Sequence, residues 1–185
     1  KRFGILVETI EGTKSMIVQP MNRDVLEITD EDVPNVEYIL LDPSCSGSGI
    51  ANRFASDSHK DKERLFKLSG IQFKLLSHAM TAFPNVKRII YSTCSVYCEE
   101  NEEVVLGCLR KNGHFKLVDI RETFNEHQWK NLGNEIVYPN LGNKVLYART
   151  EDDFTNGFFV AILERCDEGE SNEFFTQKQQ NIADN

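Results

Sequence analysis

The sequence has no apolar stretch approaching the roughly 20 residues that a bilayer-spanning helix needs, so a membrane-spanning role is not expected. It has no Cys-x-x-Cys pair. Its cysteines are odd in number, five (Cys45, Cys94, Cys98, Cys108 and Cys166), in a chain long enough to fold without staples. Reduced thiols in a cytosolic or nuclear setting therefore fit better than a disulfide framework. Cys94 and Cys98 stand four apart, but no second pair completes a tetrahedral metal set, and His59, His78, His114 and His127 show no metal spacing. No metal is expected. Positive charge is in short supply: 21 Lys and Arg against 29 Asp and Glu leave a net charge of −8. That excludes a protein that holds nucleic acid by bulk electrostatics alone, though not a catalytic domain whose RNA grip lies elsewhere. There is no internal repeat and no signal-peptide pattern. The opening "KRFGILVETI" lacks Met and reads as mid-helix, so the chain is expected to be a fragment of a longer protein.

What is present is one domain's worth of ordinary globular sequence: 185 residues, 40% hydrophobic and 27% charged. Residues 1–11 carry Phe3, Leu6, Val7 and Ile10 at helical spacing, with Gly12 as a stop. Residues 16–18 are a short strand candidate. Residues 36–41, "VEYILL", are apolar enough for a strand covered on both faces. A polar loop at 52–58 precedes a long helix over 59–83, ended by Pro84. Lys60, Lys62, Arg64, Lys67 and Lys74 would decorate the solvated side of that helix. A second strand comes next at 86–91, then a helix at 99–109 whose early glutamates suit the dipole. Further strands fall at 115–120 and 158–163, with a mixed region between them. Trp129 and Tyr138 lie in that region and suit either base stacking or core packing. Residues 167–185 hold five acidic residues and one Lys, which predicts a solvated or disordered tail after a domain of residues 1–166.

Strand alternating with helix predicts an α/β fold around a mostly parallel sheet, with ligands beyond the carboxyl ends of the strands. Two cysteines sit at that edge, one in "ILLDPSCSGSGI" (39–50) and one in "IIYSTCSVYC" (89–98). Placed after successive strands, they are expected to face one cleft. Cys94, in a turn leading to a helix, suits a nucleophile favoured by the helix dipole; a small buried residue fits the same position. Asp42 ends its strand where a carboxylate reaches a ligand. "SGSG" lacks the Lys of a P-loop and the order G-x-G-x-x-G, and reads as a tight turn.

The combination of "DPSCSGSG" with a later "YSTCSVYCEENEEVV" closely resembles the Sun-domain family of RNA (cytosine-5) methyltransferases. "NGFFVAILER" is similar to the family's closing strand, Arg149 to the Arg preceding it, and "NRDVLE" to its cofactor-side segment. The order Asp42-Pro43-Ser44-Cys45, where much of the family has Asp-x-Pro-Cys, resembles the eukaryotic branch acting on large-subunit ribosomal RNA. The resemblance implies a Rossmann-like class I methyltransferase sheet, truncated at its N-terminal side. It implies Cys94 as nucleophile toward cytosine C6, Cys45 as the cysteine that assists release, and Asp42 at the base edge. It also implies S-adenosylmethionine as cofactor, contacted by Arg2, Asp24 and Asp42. The family's glycine-rich loop and ribose-binding acid have no match here, so the isolated chain is expected to be inactive. Partners would be RNA, specifically large-subunit ribosomal RNA, but no membrane, in a monomeric nucleolar enzyme. A non-catalytic RNA-binding or ribosome-assembly factor would keep the same fold. A DNA cytosine methyltransferase would place its nucleophile in a Pro-Cys motif after the earlier strand, unlike Cys94.

Overall fold

The computed structural model describes residues 1–50, 61–122 and 129–183. The polar stretch 52–58, the start of the long helix at 59, and His59, Lys60 and His127 lie outside the described residues. Five α-helices and five strands are present among those described: α1 (Arg2–Thr13), β1 (Tyr38–Leu41), α2 (Lys62–Thr81), β2 (Arg88–Thr93), α3 (Glu102–Leu109), β3 (Phe115–Val118), β4 (Leu146–Ala148), α4 (Thr150–Asp153), β5 (Phe158–Arg165) and α5 (Glu173–Ala183). Asp61 caps α2 by accepting from the Arg64 N–H at 3.0 Å. Helix α1 runs through Gly12 to Thr13 and ends where Lys14 turns left-handed at φ 57°.

The strands form one sheet in the order β1-β2-β5-β3, with β4 also paired to β5. Among the described strands only β1 and β2 are parallel, in the register Leu41↔Tyr91. β5 runs antiparallel to β2 along the whole length of β2. Its other edge is divided, β3 pairing its C-terminal half and β4 its N-terminal half. The sheet is therefore mixed rather than mostly parallel. An apolar run such as "FFVAIL" reports burial on both faces but not direction, and the chain reaches β5 through β4 from the opposite end of the sheet. Residues 16–18 form no strand; Met16 and Ile17 are almost fully exposed, and no strand among the described residues pairs with them. β1 is covered on one face, since Ile39 packs against the core while Tyr38 and Leu40 are exposed.

The main core lies between the sheet and helices α2 and α3. Leu76, Ile89, Val105, Leu109 and Leu163 are wholly buried there, each contributing about 1.5–3 kcal/mol through burial. Phe159 packs edge-on against Tyr91 and Tyr147, with ring centroids 6.2 and 5.0 Å apart, which fixes β5 to β2 and β4 beside the cysteine-bearing edge. A smaller cluster on Ile120, Leu146 and Ile162 takes in Trp129, whose indole N–H donates to the Tyr147 carbonyl at 2.6 Å. Trp129 is thus a packing residue.

The C-terminal segment differs from the solvated tail that its composition suggests. Asn172 is buried, and its side-chain amide faces the carbonyls of Leu109, Asn112 and Phe115 at 3.2, 2.8 and 2.8 Å. Its Oδ1 accepts from the Phe175 N–H at 2.9 Å, capping α5, and Phe174 enters the main core. Two anchors outweigh the acidic composition around them. Asn172→Ala leaves buried carbonyls unpaired and removes the cap, and is expected to cost about 2–4 kcal/mol in urea unfolding of the full-length protein.

Candidate active site

Because β1 and β2 are adjacent and parallel, their C-terminal ends deliver two loops to one edge. Residues 42–50 leave β1 and residues 94–101 leave β2. The Gly49 N–H donates to the Cys94 carbonyl at 2.9 Å, and the Gly157 N–H donates to the Gly49 carbonyl at 2.7 Å. Three segments are stitched side by side, and the fit requires glycine. A Cβ on Gly49 would stand 2.2 Å from the Gly157 carbonyl oxygen, and one on Gly157 would stand 2.9 Å from the Gly49 Cα. The serines complete the stitching. Ser48 Oγ accepts from the Val96 N–H at 3.0 Å and lies 3.1 Å from Ser95 Oγ, while Ser46 Oγ lies 3.1 Å from Ser48 Oγ. The "SGSG" stretch joins the two cysteine loops by hydrogen bonds.

Held this way, the Cys45 and Cys94 sulfurs are 3.1 Å apart. Both are free, half-buried thiols, closer than a relaxed van der Waals contact and far beyond the roughly 2.05 Å of a disulfide. Burial first, and then the hydrogen bond with Cys94, pushes the Cys45 thiol up to about 12. Cys45 therefore keeps its proton at neutral pH, with its sulfur 3.1 Å from that of Cys94. For an acid the sign is simple: a raised pKa extends the neutral form to higher pH. Iodoacetamide labelling of Cys45 should rise about tenfold per pH unit beyond the ordinary thiol value, levelling only near about 12. Peptide-resolved mass spectrometry measures this; levelling near pH 9 would contradict it.

The remaining predicted site residues are not all brought together. Asp42 is exposed, three places before Cys45 at the end of β1. Asp24 is exposed and its Oδ1 accepts from the Leu26 N–H at 3.0 Å, capping a short turn. Arg2 opens α1, none of whose residues is buried. Of the three, Asp42 alone sits on a cysteine-bearing loop. Helix α3 begins at Glu102, not residue 99, with a turn intervening. Cys94 is therefore outside the first turn of that helix, and the hydrogen-bonded pairing with Cys45, rather than the helix dipole, is its evident local influence.

Sequence reasoning missed the groups that hold the loops. The acidic run after Cys98 divides into exposed Glu103, half-buried Glu99 and buried Glu100 and Glu102. Asn101 is also buried; its Oδ1 accepts from the Thr93 hydroxyl at 2.6 Å, and its amide donates to the Ser95 carbonyl at 2.9 Å. The Tyr147 hydroxyl donates to Glu102, whose carboxyl burial holds above the ordinary range. Arg149 lies 5.4 Å from the Tyr147 ring, on the wall of a recess of about 300 Å³ shared with Tyr97, Cys98 and Tyr138. A dense acidic run shortly after the Cys94 turn was the available signal, though it does not say which acid turns inward.

The mixed α/β sheet with two thiols paired at its edge is that of a Rossmann-like methyltransferase. Residues 1–164 match the family described as 16S rRNA methyltransferase RsmB/F, and the chain belongs to that family. It is 48% identical over 170 residues to a 28S rRNA (cytosine-C(5))-methyltransferase of Drosophila melanogaster, covering 91% of this chain and 39% of that protein. With the Mus musculus 28S rRNA (cytosine-C(5))-methyltransferase it shares 40% identity over 173 residues, 90% of this chain and 36% of the other. The crystal structure of PH0851 superposes with a TM-score of 0.69 at 25% identity, over 88% of this chain and 34% of that one. That of NSun6 from Pyrococcus horikoshii with SFG gives a TM-score of 0.65 at 23% identity over 88% and 38%, a likeness of fold. The chain thus spans well under half the length of these relatives.

Proposed function

We propose that the full-length protein methylates C5 of a cytosine in large-subunit ribosomal RNA, acting as a monomer in the nucleolus. The observation that carries the methyl-transfer reading is the 3.1 Å pairing of Cys45 and Cys94 at the ends of adjacent parallel strands. The relatives named above as rRNA (cytosine-C(5))-methyltransferases support the substrate.

Cytosine C5 is a poor nucleophile. Addition of the Cys94 thiolate to C6 makes it electron-rich. S-adenosylmethionine, when bound, supplies the methyl group that C5 then takes. Its use is supported by the family and by the related NSun6 structure determined with SFG. Asp42, an exposed carboxylate on the Cys45 loop, fits both the base edge and the cofactor; Arg2 and Asp24 are assigned to the cofactor on the resemblance alone. Afterwards the C5 proton leaves to a base. The freed electron pair restores the C5–C6 double bond and expels the Cys94 sulfur. Cys45 meets that departing charge with its S–H. The target base must be unstacked to reach the cleft, and the net charge of −8 suits a catalytic domain whose main RNA grip lies elsewhere in the full-length protein.

The test is methyl transfer from labelled S-adenosylmethionine to large-subunit ribosomal RNA by the full-length protein. 5-Methylcytosine in the digested RNA is the expected result. RNA that is bound but never methylated would favour an assembly factor instead.

A further inference from the structure

We infer that Glu100 and Gln72 are positioning residues that hold the Cys45 S–H against Cys94; the inference rests on the release role proposed for Cys45. The grip closes on both chain neighbours of Cys45. Glu100 Oε1 accepts from the Ser46 N–H at 2.9 Å and Glu100 Oε2 accepts from the Ser46 hydroxyl at 2.5 Å. Gln72 Nε2 donates to the Ser44 carbonyl and to Glu100 Oε1, both at 3.0 Å. Residues 44 and 46 are thus fixed by one buried carboxylate–amide pair, both members of which are wholly inaccessible to solvent.

The pair also ties Cys45 to Cys94. Glu100 belongs to the loop that carries Cys94, and its backbone is fixed there: its N–H donates to the Tyr97 carbonyl at 3.1 Å and its carbonyl accepts from the Tyr91 hydroxyl at 2.6 Å. Its side chain crosses to the other loop. Gln72 reaches the same point from α2, so strand, helix and both loops meet at Glu100. The spacing of the two sulfurs is set by this junction.

Stability alone does not account for it. A buried carboxylate is costly, and well-packed apolar groups in place of buried charged ones are often neutral or better. The Gln72 Oε1 is buried without a hydrogen-bond partner, a cost that an apolar side chain of similar shape would avoid. Turning the amide over would set that oxygen against a carbonyl and a carboxylate. What the amide does in its present orientation is grip Ser44.

The test uses the full-length protein carrying Gln72→Met or Ser46→Ala, each alone and combined with Cys45→Ala. The measurement is protein–RNA adduct that survives SDS after incubation with S-adenosylmethionine and ribosomal RNA. Gln72→Met should raise adduct about tenfold over wild type, and Ser46→Ala should raise it less, while neither adds to the adduct of Cys45→Ala because the group they position is gone. Iodoacetamide labelling reads the grip without RNA: Cys45 freed from Cys94 should react about tenfold faster in Gln72→Met. If Gln72→Met does not fold, Ser46→Ala decides by the same two readouts. Wild-type adduct and wild-type labelling overturn the inference, as does an equal loss of turnover with and without Cys45, which marks a purely structural role. If Cys45→Ala itself traps no adduct but Gln72→Met still speeds labelling, the grip stands and the release role of Cys45 fails.

Discussion

Replacing Cys94 by alanine in the full-length protein is expected to lower 5-methylcytosine formation by about four orders of magnitude, or ~5 kcal/mol of transition-state stabilisation. The size comes from the chemistry. Without addition at C6 the ring has no electron pair to offer at C5, and no neighbouring group replaces a covalent bond. Cys45 cannot take over, because burial, the larger cause of its raised pKa, persists without Cys94 and keeps its thiol protonated above neutral pH. Cys98 is four residues along the turn, and its thiol is also raised by burial. The fold should tolerate the change, since Cys94 is half-buried and outside the main core. Quantifying modified nucleosides in digested RNA, with circular dichroism to verify folding, measures it. Activity within tenfold of wild type would remove Cys94 from its role.

The second large effect has the opposite appearance. Cys45→Ala should leave attack and methyl transfer in place and slow release by about 10- to 100-fold, the worth of a hydrogen bond to a charged group. Protein should then accumulate joined to RNA, visible as a band of raised mass on a denaturing gel. Cys45→Ser restores an O–H donor at the same place and should release faster than Cys45→Ala. Equal trapping by both would mean that the S–H proton is not what Cys45 contributes. Loss of methylation without any adduct would mean that Cys45 acts before attack.

Much of this site was legible in the sequence because two apolar runs ended in the same way. Residues 36–41 and 86–91 read as strands, formed as Tyr38–Leu41 and Arg88–Thr93, and adjacent parallel strands bring the loops at their carboxyl ends to a common edge; Cys45 and Cys94 meet there as expected. The burial of Glu100 was not legible. Nothing distinguishes it from Glu99 or Glu103 in the run "EENEE", because which acid turns inward depends on a turn fixed by Asn101, Thr93 and Tyr91. Gln72 is the one polar residue among the buried positions of α2, and its value depends on a carbonyl that arrives from another loop. The direction of β5 was hidden for a different reason: side-chain patterning reports which faces are covered but not which way the chain runs. The C-terminal helix was masked by composition, since Asn172 and Phe174 anchor it against the net charge around them. Arg2 and Asp24 rest on resemblance, because each is exposed and no contact among the described residues draws either toward Asp42.

The most direct measurement uses wild-type full-length protein and ribosomal RNA transcribed with 5-fluorocytidine. Fluorine at C5 leaves no proton to remove after methyl transfer, so the sulfur that attacked C6 stays attached. Digesting the trapped complex and sequencing the modified peptide by mass spectrometry identifies that sulfur. Nucleotide on Cys94, in the peptide containing "YSTCSVYC", is the expected result; nucleotide on Cys45 would contradict the assignment of attack and release.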